Sequence, residues 1–278
     1  MLNFLHTFNP SPIMATIGPI HIYWYGLFIL LATLAALTVC LYLAKLHNLK
    51  TDIIIDLAFW LIISGLIGAR LYAVLLELPY FLINPLNIFK IWQGGLAIHG
   101  AIIGGFIALW RFAKKNNFNF FQLASIIVTA LPLGQSIGRW GNYFNQELFG
   151  YPTARPWGIR IDIINRPLNY LNNQYFHPAF LYESIGNLII FIILIFLQIW
   201  LAKKQKLSEL NYPLFMASYA ILYSLLRFAA EFIRIDATSI IFGLRFPQLI
   251  SLLIMFSSLS YLAYFIWLKI RKNKALDN

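Results

Sequence analysis

The chain has 278 residues, of which 60% are hydrophobic and 11% are charged, and its mean hydropathy is +0.71. Ordinary soluble domains are about 45–50% apolar and about 25% charged, so this composition excludes most soluble folds and predicts that lipid surrounds much of the chain. The net charge of +11 would suggest nucleic-acid binding in a soluble protein, but the basic residues stand in short loops between apolar runs, and we expect no nucleic-acid partner.

The first apolar run covers residues 20–43, and the aromatic residues Trp24 and Tyr25 near its start are typical of a membrane interface. A cleaved signal peptide carries basic residues before its apolar core, whereas the first lysine of this chain, Lys45, follows the run. We therefore expect this run to be a span of the mature protein, with the N-terminus outside.

Further apolar runs are long enough to cross a bilayer core, which takes about 20 helical residues. Together with the first, the predicted spans cover residues 20–43, 53–76, 96–112, 120–140, 179–201, 213–233 and 246–268. One side of this arrangement receives most of the basic loop residues, which are Lys45, Lys50, Arg111, Lys114, Lys115, Lys203, Lys204, Lys206, Lys269, Arg271, Lys272 and Lys274. Since basic loops face the cytoplasm, the sequence predicts an all-α integral membrane protein with seven transmembrane helices, the N-terminus outside and the C-terminus cytoplasmic.

The long connection between the fourth and fifth predicted spans covers about residues 142–178. It carries Pro152, Pro156 and Trp157, and this composition predicts an ordered segment rather than a flexible linker. On the predicted orientation it forms a small outer cap. We expect a single polytopic membrane domain over residues 1–278 with this cap inserted.

Charged residues in the sixth span indicate a site, because a charge at the bilayer centre costs at least about 2.5–3.5 kcal/mol. Tyr223, Arg227, Glu231 and Arg234 are separated by steps of four, four and three residues, which places them on one helical face. The structural alternative is an Arg227–Glu231 ion pair that only joins helices. Two arginines against one acid leave a surplus cation, and this favours a site for an anion.

The fourth span ends in a polar segment, GRWGNYFNQELFG, over residues 138–150. Arg139, Asn142, Asn145 and Glu147 supply a cation, two amides and a carboxylate within about three helical turns. The planar fork of an arginine donates two parallel hydrogen bonds to a phosphate. The segment therefore indicates a phosphate-binding group at the outer end of the span.

The third span begins with GGLAIHGAIIGG over residues 94–105, in which Gly100 and Gly104 predict close packing against another helix. His99 borders this face. A lone histidine in an apolar helix is often only an interhelical hydrogen-bonding group, so the span alone leaves its role open. No second histidine or glutamate stands at metal-binding spacing, and we expect no metal site. In the fifth span, Glu183 requires a partner, and Arg70 in the second span is a candidate.

Three ordered motifs resemble those of bacterial prolipoprotein diacylglyceryl transferases. They are residues 94–100 (GGLAIHG), residues 138–150 and residues 227–234 (RFAAEFIR). The signature in the second motif usually has phenylalanine where this chain has Tyr143. The segment that begins with His177 and Pro178 is also similar, although family members often have a polar pair where Ala179 and Phe180 stand. The resemblance extends over nearly the whole chain.

The resemblance implies that the diacylglyceryl group of phosphatidylglycerol moves to the thiol of the lipobox cysteine in a preprolipoprotein signal peptide. A thioether forms, glycerol-1-phosphate leaves, and no metal or organic cofactor takes part. The implied location is the bacterial plasma (inner) membrane, among membrane lipids, with the active site facing the outer side. The positions for which it implies a catalytic role are Tyr25, His99, Arg139, Glu147, Arg227 and Glu231, and those for which it implies phosphatidylglycerol binding are Arg139, Asn142, Gly150 and Arg227.

These implied roles agree with the chemistry of the residues. The arginines match the phosphodiester charge and the negative charge that grows on the leaving oxygen. A free thiol has a pKa of about 8.5, so a neutral His99 is the expected base, with Glu147 or Glu231 orienting groups or relaying the proton.

Two other classes of protein also place charges in a membrane. A transporter or flippase for an anionic lipid would use buried arginines too, but it predicts repeated halves or paired broken helices, and the sequence shows neither. A non-catalytic scaffold would leave His99, Arg139 and Arg227 unexplained.

Overall fold

The computed structural model describes residues 2–209 and 211–276 and is mainly α-helical. Its α-helices are α1 (Leu2–Thr7), α2 (Trp24–Leu46), α3 (Thr51–Leu76), α4 (Leu78–Ile83), α5 (Ile98–Lys115), α6 (Phe120–Phe144), α7 (Ala179–Lys203), α8 (Tyr212–Ala230) and α9 (Phe246–Leu276). Its 3₁₀ helices are η1 (Pro85–Phe89), η2 (Ile91–Gln93), η3 (Ile163–Asn165) and η4 (Leu168–Tyr170). Its strands form the antiparallel pairs β1 (Ile13–Ile17) with β2 (Ile20–Tyr23), β3 (Ile159–Arg160) with β4 (Tyr175–Phe176), and β5 (Ile240–Ile241) with β6 (Leu244–Arg245).

Within the described residues, six helices are long and apolar enough to cross a membrane: α2, α3, α6, α7, α8 and the Phe246–Leu268 part of α9. The prediction of an all-α, multi-pass membrane protein is therefore confirmed. The third predicted span forms α5, but α5 is not among the six, because its 18 residues include Arg111, Lys114 and Lys115. The seventh span, the orientation and the outer position of the cap stay predictions.

The first predicted span begins too early. Residues 20–23 form strand β2 instead of helix, and they pair with β1 across a turn at Gly18 and Pro19. Gly18 has a φ of +58°, which glycine adopts without a steric cost. The alternating isoleucines around this turn favour a hairpin over a helix, so α2 starts only at Trp24.

The chain divides into two compact units, one formed by residues 1–38, 128–205 and 214–278 and the other by residues 39–127 and 206–213. In the second unit, α3 and α5 pack backbone against backbone. A Cβ atom added to Gly100 would collide with the carbonyl oxygen of Gly68, and one added to Gly104 would collide with that of Ser64. The close packing predicted from these glycines is therefore confirmed, and it sets the position of the first turn of α5.

In the first unit, the segment between α6 and α7 folds around apolar side chains. The β3–β4 pair is extended by isolated bridges that join Pro152 to Phe176 and Gly150 to Arg234. The buried residues of this core are Leu5, Tyr143, Phe149, Ile159, Ile161, Phe176 and Phe180. This core joins the segment to the ends of α6 and α7 and to the residues that follow α8, where the candidate site lies.

Candidate active site

A buried carboxylate, Glu183, lies at the centre of the candidate site. It is in the second turn of α7, and its side chain is only 3% exposed. Its Oε2 atom is 2.5 Å from Nη2 of Arg139, while its Oε1 atom is 2.9 Å from Nη1 of Arg234 and 3.6 Å from Nη1 of Arg227. The suggestion that Arg70 is the partner of Glu183 was wrong, because these three arginines hold the carboxylate and Arg70 donates to main-chain carbonyls.

The charged residues of the sixth predicted span contact one another at the end of α8. Helical hydrogen bonds continue past Ala230, since the N–H of Glu231 donates to the carbonyl of Arg227 and the N–H of Arg234 to that of Ala230, both at 3.2 Å. Nη2 of Arg227 forms an ion pair with Oε1 of Glu231, and Nε of Arg234 is 3.7 Å from the same oxygen. The local spacing thus brings this arginine–glutamate–arginine set together, as the sequence indicated.

Two further charged residues, Arg245 and Asp236, belong to the cluster and were missed from the sequence. Nε of Arg245 donates to Oε2 of Glu231 at 2.6 Å, and its other nitrogens donate to the carbonyls of Arg234 and Asp236, each at 2.7 Å. Asp236 accepts a hydrogen bond of 2.7 Å from Nε of Arg234. The sequence feature that could have indicated them is the short connection at 236–245, which begins with an acid and ends with an arginine.

The electrostatic environment of Asp236 favours its ionised form. Burial opposes ionisation, but the hydrogen bond from Arg234 and the charges of Arg234 and Arg245 outweigh it, so the pKa of the Asp236 carboxyl lies below its usual value. At neutral pH this carboxylate therefore carries a full negative charge.

The directly paired groups of the cluster contain one more arginine than carboxylate, and the exposed carboxylate of Glu147 is linked to Arg139 only through Asn142. The four arginines of the cluster, at positions 139, 227, 234 and 245, face three carboxylates, those of Glu183, Glu231 and Asp236. Within the described residues, Nη1 of Arg227 is buried and makes no hydrogen bond; its distance of 3.6 Å from Glu183 is too long for one. The side chains of Arg139 and Arg227 are 21% and 20% exposed, so these two arginines border the accessible part of the cluster.

The end of α6 brings amide groups beside Arg139. Nη1 of Arg139 lies 3.4 Å from the side-chain oxygen of Asn142, whose amide nitrogen donates to Oε1 of Glu147 at 2.7 Å. The amide nitrogen of Asn145 lies 3.4 Å from the same carboxylate oxygen. Glu147 is exposed, in contrast to Glu183 and Asn142. This side therefore offers an accessible carboxylate linked to the arginine through one buried amide.

Two glycines of the 138–150 motif permit close contacts that a side chain would block. A Cβ atom at Gly141 would lie 2.8 Å from Cδ2 of Tyr25, so glycine lets the Tyr25 ring rest on α6. A Cβ atom at Gly150 would lie 2.7 Å from the carbonyl oxygen of Ile233 and 3.0 Å from Cβ of His177. These glycines are therefore required by packing, which places Tyr25 beside the polar end of α6.

The His177 segment, whose role the sequence left open, joins the β4 strand to α7. Nδ1 of His177 is 3.1 Å from the hydroxyl of Tyr182, and that hydroxyl accepts a hydrogen bond of 2.9 Å from Nε1 of Trp157. Burial, together with the charge of Arg155, lowers the pKa of His177. A neutral ring can accept the proton of the tyrosine hydroxyl, so this network orients the entry into α7 and hence Glu183.

The remaining predicted residues are His99 and Tyr223. His99 belongs to the other compact unit, where its exposed ring lies 5.8 Å from that of Tyr72. Tyr223 stacks on Tyr219, with 5.6 Å between ring centroids. The structure therefore brings together the arginines, Glu231, Asn142, Glu147, Gly150 and Tyr25 within the first unit, and it places His99 in the second.

Comparison with known proteins gives a consistent assignment. A family model described as prolipoprotein diacylglyceryl transferase matches residues 12–264. A Nostoc protein is 45% identical over 278 residues, which is 99% of this chain and 95% of the relative. A Synechocystis protein is 43% identical over 88% of this chain and 85% of its own length, and a Prochlorococcus marinus protein is 38% identical over 97% of both. Each is named phosphatidylglycerol–prolipoprotein diacylglyceryl transferase.

The match covers the helices, the polar end of α6 and the arginine–carboxylate cluster alike. It agrees with the resemblance of the three sequence motifs, and it spans almost the whole length of both this chain and its relatives. The chain therefore belongs to the prolipoprotein diacylglyceryl transferase family of bacterial membrane enzymes.

Proposed function

We propose that this protein transfers the diacylglyceryl group of phosphatidylglycerol to the lipobox cysteine of preprolipoproteins at the outer side of the bacterial plasma membrane, within a seven-helix arrangement. A carbon–sulfur bond forms between the thiol and the terminal glycerol carbon of the diacylglyceryl group. The bond from this carbon to the phosphate oxygen breaks, and glycerol-1-phosphate leaves with the electron pair. The observation that supports the proposal is the excess of one arginine over the carboxylates that pair directly with the cluster, with a donor on Arg227 that makes no hydrogen bond within the described residues.

The lipid phosphate binds between Arg139 and Arg227 in this proposal. Both side chains are partly exposed, and one nitrogen of each is held by a carboxylate, that of Arg139 by Glu183 and that of Arg227 by Glu231. The bound phosphodiester carries one negative charge, and the departing phosphate monoester gains a second. Arginine donors held in place therefore stabilise the transition state more than the bound substrate, which is the condition for catalysis.

The carboxylates have a supporting role. Arginines with no counter-charge would be costly to keep in a low-dielectric site, and partnered carboxylates offset part of that cost. Glu183 fixes Arg139, while Glu231 fixes Arg227 through one oxygen and is itself held by Arg245 through the other. Because Oε2 of Glu231 accepts a hydrogen bond from Arg245 and Oε1 forms ion pairs with Arg227 and Arg234, we assign Glu231 to orientation of Arg227 rather than to proton transfer.

We assign proton removal from the thiol to His99. We assign to Glu147 the role of relaying the proton or orienting the reacting groups. A thiolate is the reactive nucleophile, and a free cysteine with a pKa of about 8.5 is mainly protonated at neutral pH. An exposed imidazole suits this step. Glu147 is exposed and held by Asn142, which supports a relay role. Tyr25, Asn142 and Gly150 shape the lipid side of the site.

The direct test uses the purified protein in liposomes with a lipobox peptide and phosphatidylglycerol labelled separately in its diacyl and glycerol-phosphate parts. We expect the peptide to gain the mass of a diacylglyceryl thioether while the second label appears as soluble glycerol phosphate. A matched lipid with the same acyl chains and an uncharged headgroup should give no product. Movement of intact, doubly labelled lipid without any peptide product would instead indicate a lipid transporter and refute the proposal.

The site assignment is tested in the same assay. Arg139→Ala and Arg227→Ala are expected to abolish turnover, whereas Lys204→Ala, which removes an exposed cation after α7, should leave it unchanged. Retained activity in both arginine variants would contradict the assignment of the phosphate to this cluster.

A further inference from the structure

Arg70, on α3 in the second compact unit, is a buried cation without a carboxylate partner. Only 8% of the residue is exposed, and no carboxylate of the described residues lies within 4.0 Å of its guanidinium. Such a group needs other partners to offset the loss of hydration. Its partners are carbonyl oxygens of the connection between α3 and α5.

The guanidinium of Arg70 donates to four main-chain oxygens. Nε donates to Ile88 at 2.8 Å, Nη2 to Asn87 at 2.5 Å, and Nη1 to both Gly94 and Gly95 at 2.8 Å. One planar group thus joins two separate points of the connection, in η1 and just after η2. Lysine, with donors on a single nitrogen, does not reproduce this fork.

The connection is shaped to receive this side chain. Gly94 and Gly95 have φ values of +91° and +69°, a region that favours glycine. A Cβ atom on Gly95 would lie 2.6 Å from Nη1 of Arg70, whereas one on Gly94 would meet nothing within 4 Å. A residue later in the chain, Ala97, donates its N–H to the carbonyl of Ala69 at 3.1 Å. Neighbouring residues of α3 therefore hold the chain at successive points just before α5.

The first turn of α5 depends on these contacts. The residue that precedes α5, Ala97, has an extended conformation and offers no side-chain cap. His99 is the second residue of α5 and lies four residues after Gly95. On its other side, Gly100 is fixed by close contact with Gly68. The main chain on both sides of His99 is thus held by α3, through Arg70 and Ala69 before it and through Gly68 after it.

We propose that Arg70 is a positioning residue for the reaction: it fixes the connection at Asn87–Gly95 and thereby the place of His99. This proposal rests on the proposed function, because it takes His99 as the base. It predicts that loss of the Arg70 fork displaces His99 without removing any group that touches the lipid or the thiol. Small displacements of a catalytic group lower turnover strongly, by about a hundredfold per Å.

The first experiment compares Arg70→Lys with Lys90→Gln. The control removes a cation from the same connection whose side chain forms no hydrogen bond or ion pair within the described residues. In Arg70→Lys we expect kcat to fall by about ten- to a hundredfold, with KM for both substrates changed by less than about threefold. Lys90→Gln should keep the wild-type kcat and KM. The proposal would be overturned if the activity of Arg70→Lys falls only in proportion to the amount of folded protein, or if only KM changes.

The second experiment keeps Arg70 intact, in case Arg70→Lys fails to fold. Both Gly95→Ala and Gly94→Ala strain the backbone, and Gly94 with a φ of +91° and a ψ of −153° occupies a region that is nearly specific to glycine. Only the Gly95 variant presses on Arg70. We expect kcat to fall more in Gly95→Ala than in Gly94→Ala. Equal losses, or a greater loss in Gly94→Ala, would show that backbone strain rather than Arg70 controls His99.

A third measurement separates failure of this inference from failure of the proposed function. The rate at which diethylpyrocarbonate modifies His99, followed by peptide mass spectrometry, reports the surroundings of the ring without any turnover. We expect this rate to change in Arg70→Lys and Gly95→Ala and to stay at the wild-type value in Lys90→Gln. If His99→Gln remains active, His99 is not the base, and the proposed function is wrong on that point. If the modification rate of His99 is unchanged in both Arg70→Lys and Gly95→Ala, Arg70 does not position His99.

Discussion

Replacement of Arg227 by lysine keeps the positive charge of the site and removes the donor that the site leaves unused. In the wild type, Nη2 of Arg227 pairs with Glu231, and the buried Nη1 makes no hydrogen bond within the described residues. The Glu231 side chain is 0% exposed, so a lysine at position 227 would keep its single ammonium on this carboxylate. The charge balance of the cluster would persist, but the second donor toward the phosphate would be lost.

The expected loss is that of one charge-assisted hydrogen bond to the leaving phosphate. Removal of a comparable donor at an oxyanion costs about 2.7–4 kcal/mol, or about 10²–10³ in kcat. Arg227→Ala should lose activity as well, but it breaks a buried ion pair, a change that costs about 3–5 kcal/mol of stability. The lysine variant should therefore unfold near the wild-type temperature, while the alanine variant should unfold well below it.

The assay measures initial rates of diacylglyceryl transfer in phosphatidylglycerol liposomes, and thermal unfolding of the same preparations. Arg160→Lys, at an exposed position of β3, is the matched control for the loss of a guanidinium. If Arg227→Lys keeps kcat/KM within about twofold of the wild type, then Nη1 of Arg227 does not bind the phosphate in the transition state, and the reasoning fails.

Further outcomes follow from the same contacts. Arg245→Gln removes the partner of Oε2 of Glu231, and we expect transfer activity to fall by about tenfold, the effect of about 1.4 kcal/mol; an unchanged rate in a folded variant would show that Arg245 does not orient Glu231. Gly150→Ala inserts a methyl group 2.7 Å from the carbonyl oxygen of Ile233 and should lower the stability by about 1–3 kcal/mol; Gly26→Ala, where nothing lies within 4 Å, is the control, and equal unfolding temperatures for both would contradict the packing argument. The lowered pKa of Asp236 means that its contribution to stability is present above the pKa of the unfolded chain and is lost as the pH falls through the folded value. The stability difference between the wild type and Asp236→Asn should therefore shrink as the pH is lowered toward about 3, and a difference independent of pH would show that Arg234 and Arg245 do not stabilise the ionised form.

Local patterns in the sequence were sufficient for several features of the fold and of the site. Apolar runs of about 20 residues predicted helices, and those over 53–76, 120–140 and 179–201 agree closely with α3, α6 and α7. At the start of the first span, however, a two-stranded hairpin replaced the first turn of the predicted helix. Hydropathy does not distinguish an apolar strand from an apolar helix over so few residues.

The sequence by itself determined which charged residues act together when they are neighbours on one helix. Arg227, Glu231 and Arg234 meet because helical geometry places residues three and four apart on one face. It also determined the family, since three motifs occur in the expected order.

Only the tertiary structure decided the partners of the isolated charges. Glu183 meets Arg234 from 51 residues away, and Arg245 reaches Glu231 across 14 residues. Arg70, suggested as the partner of Glu183, binds instead the carbonyls of a connection about one helical turn before His99. Such pairs depend on which helix ends and loops pack together, and no local spacing encodes that choice. The charge balance of the site, and the unused donor of Arg227, follow from that packing.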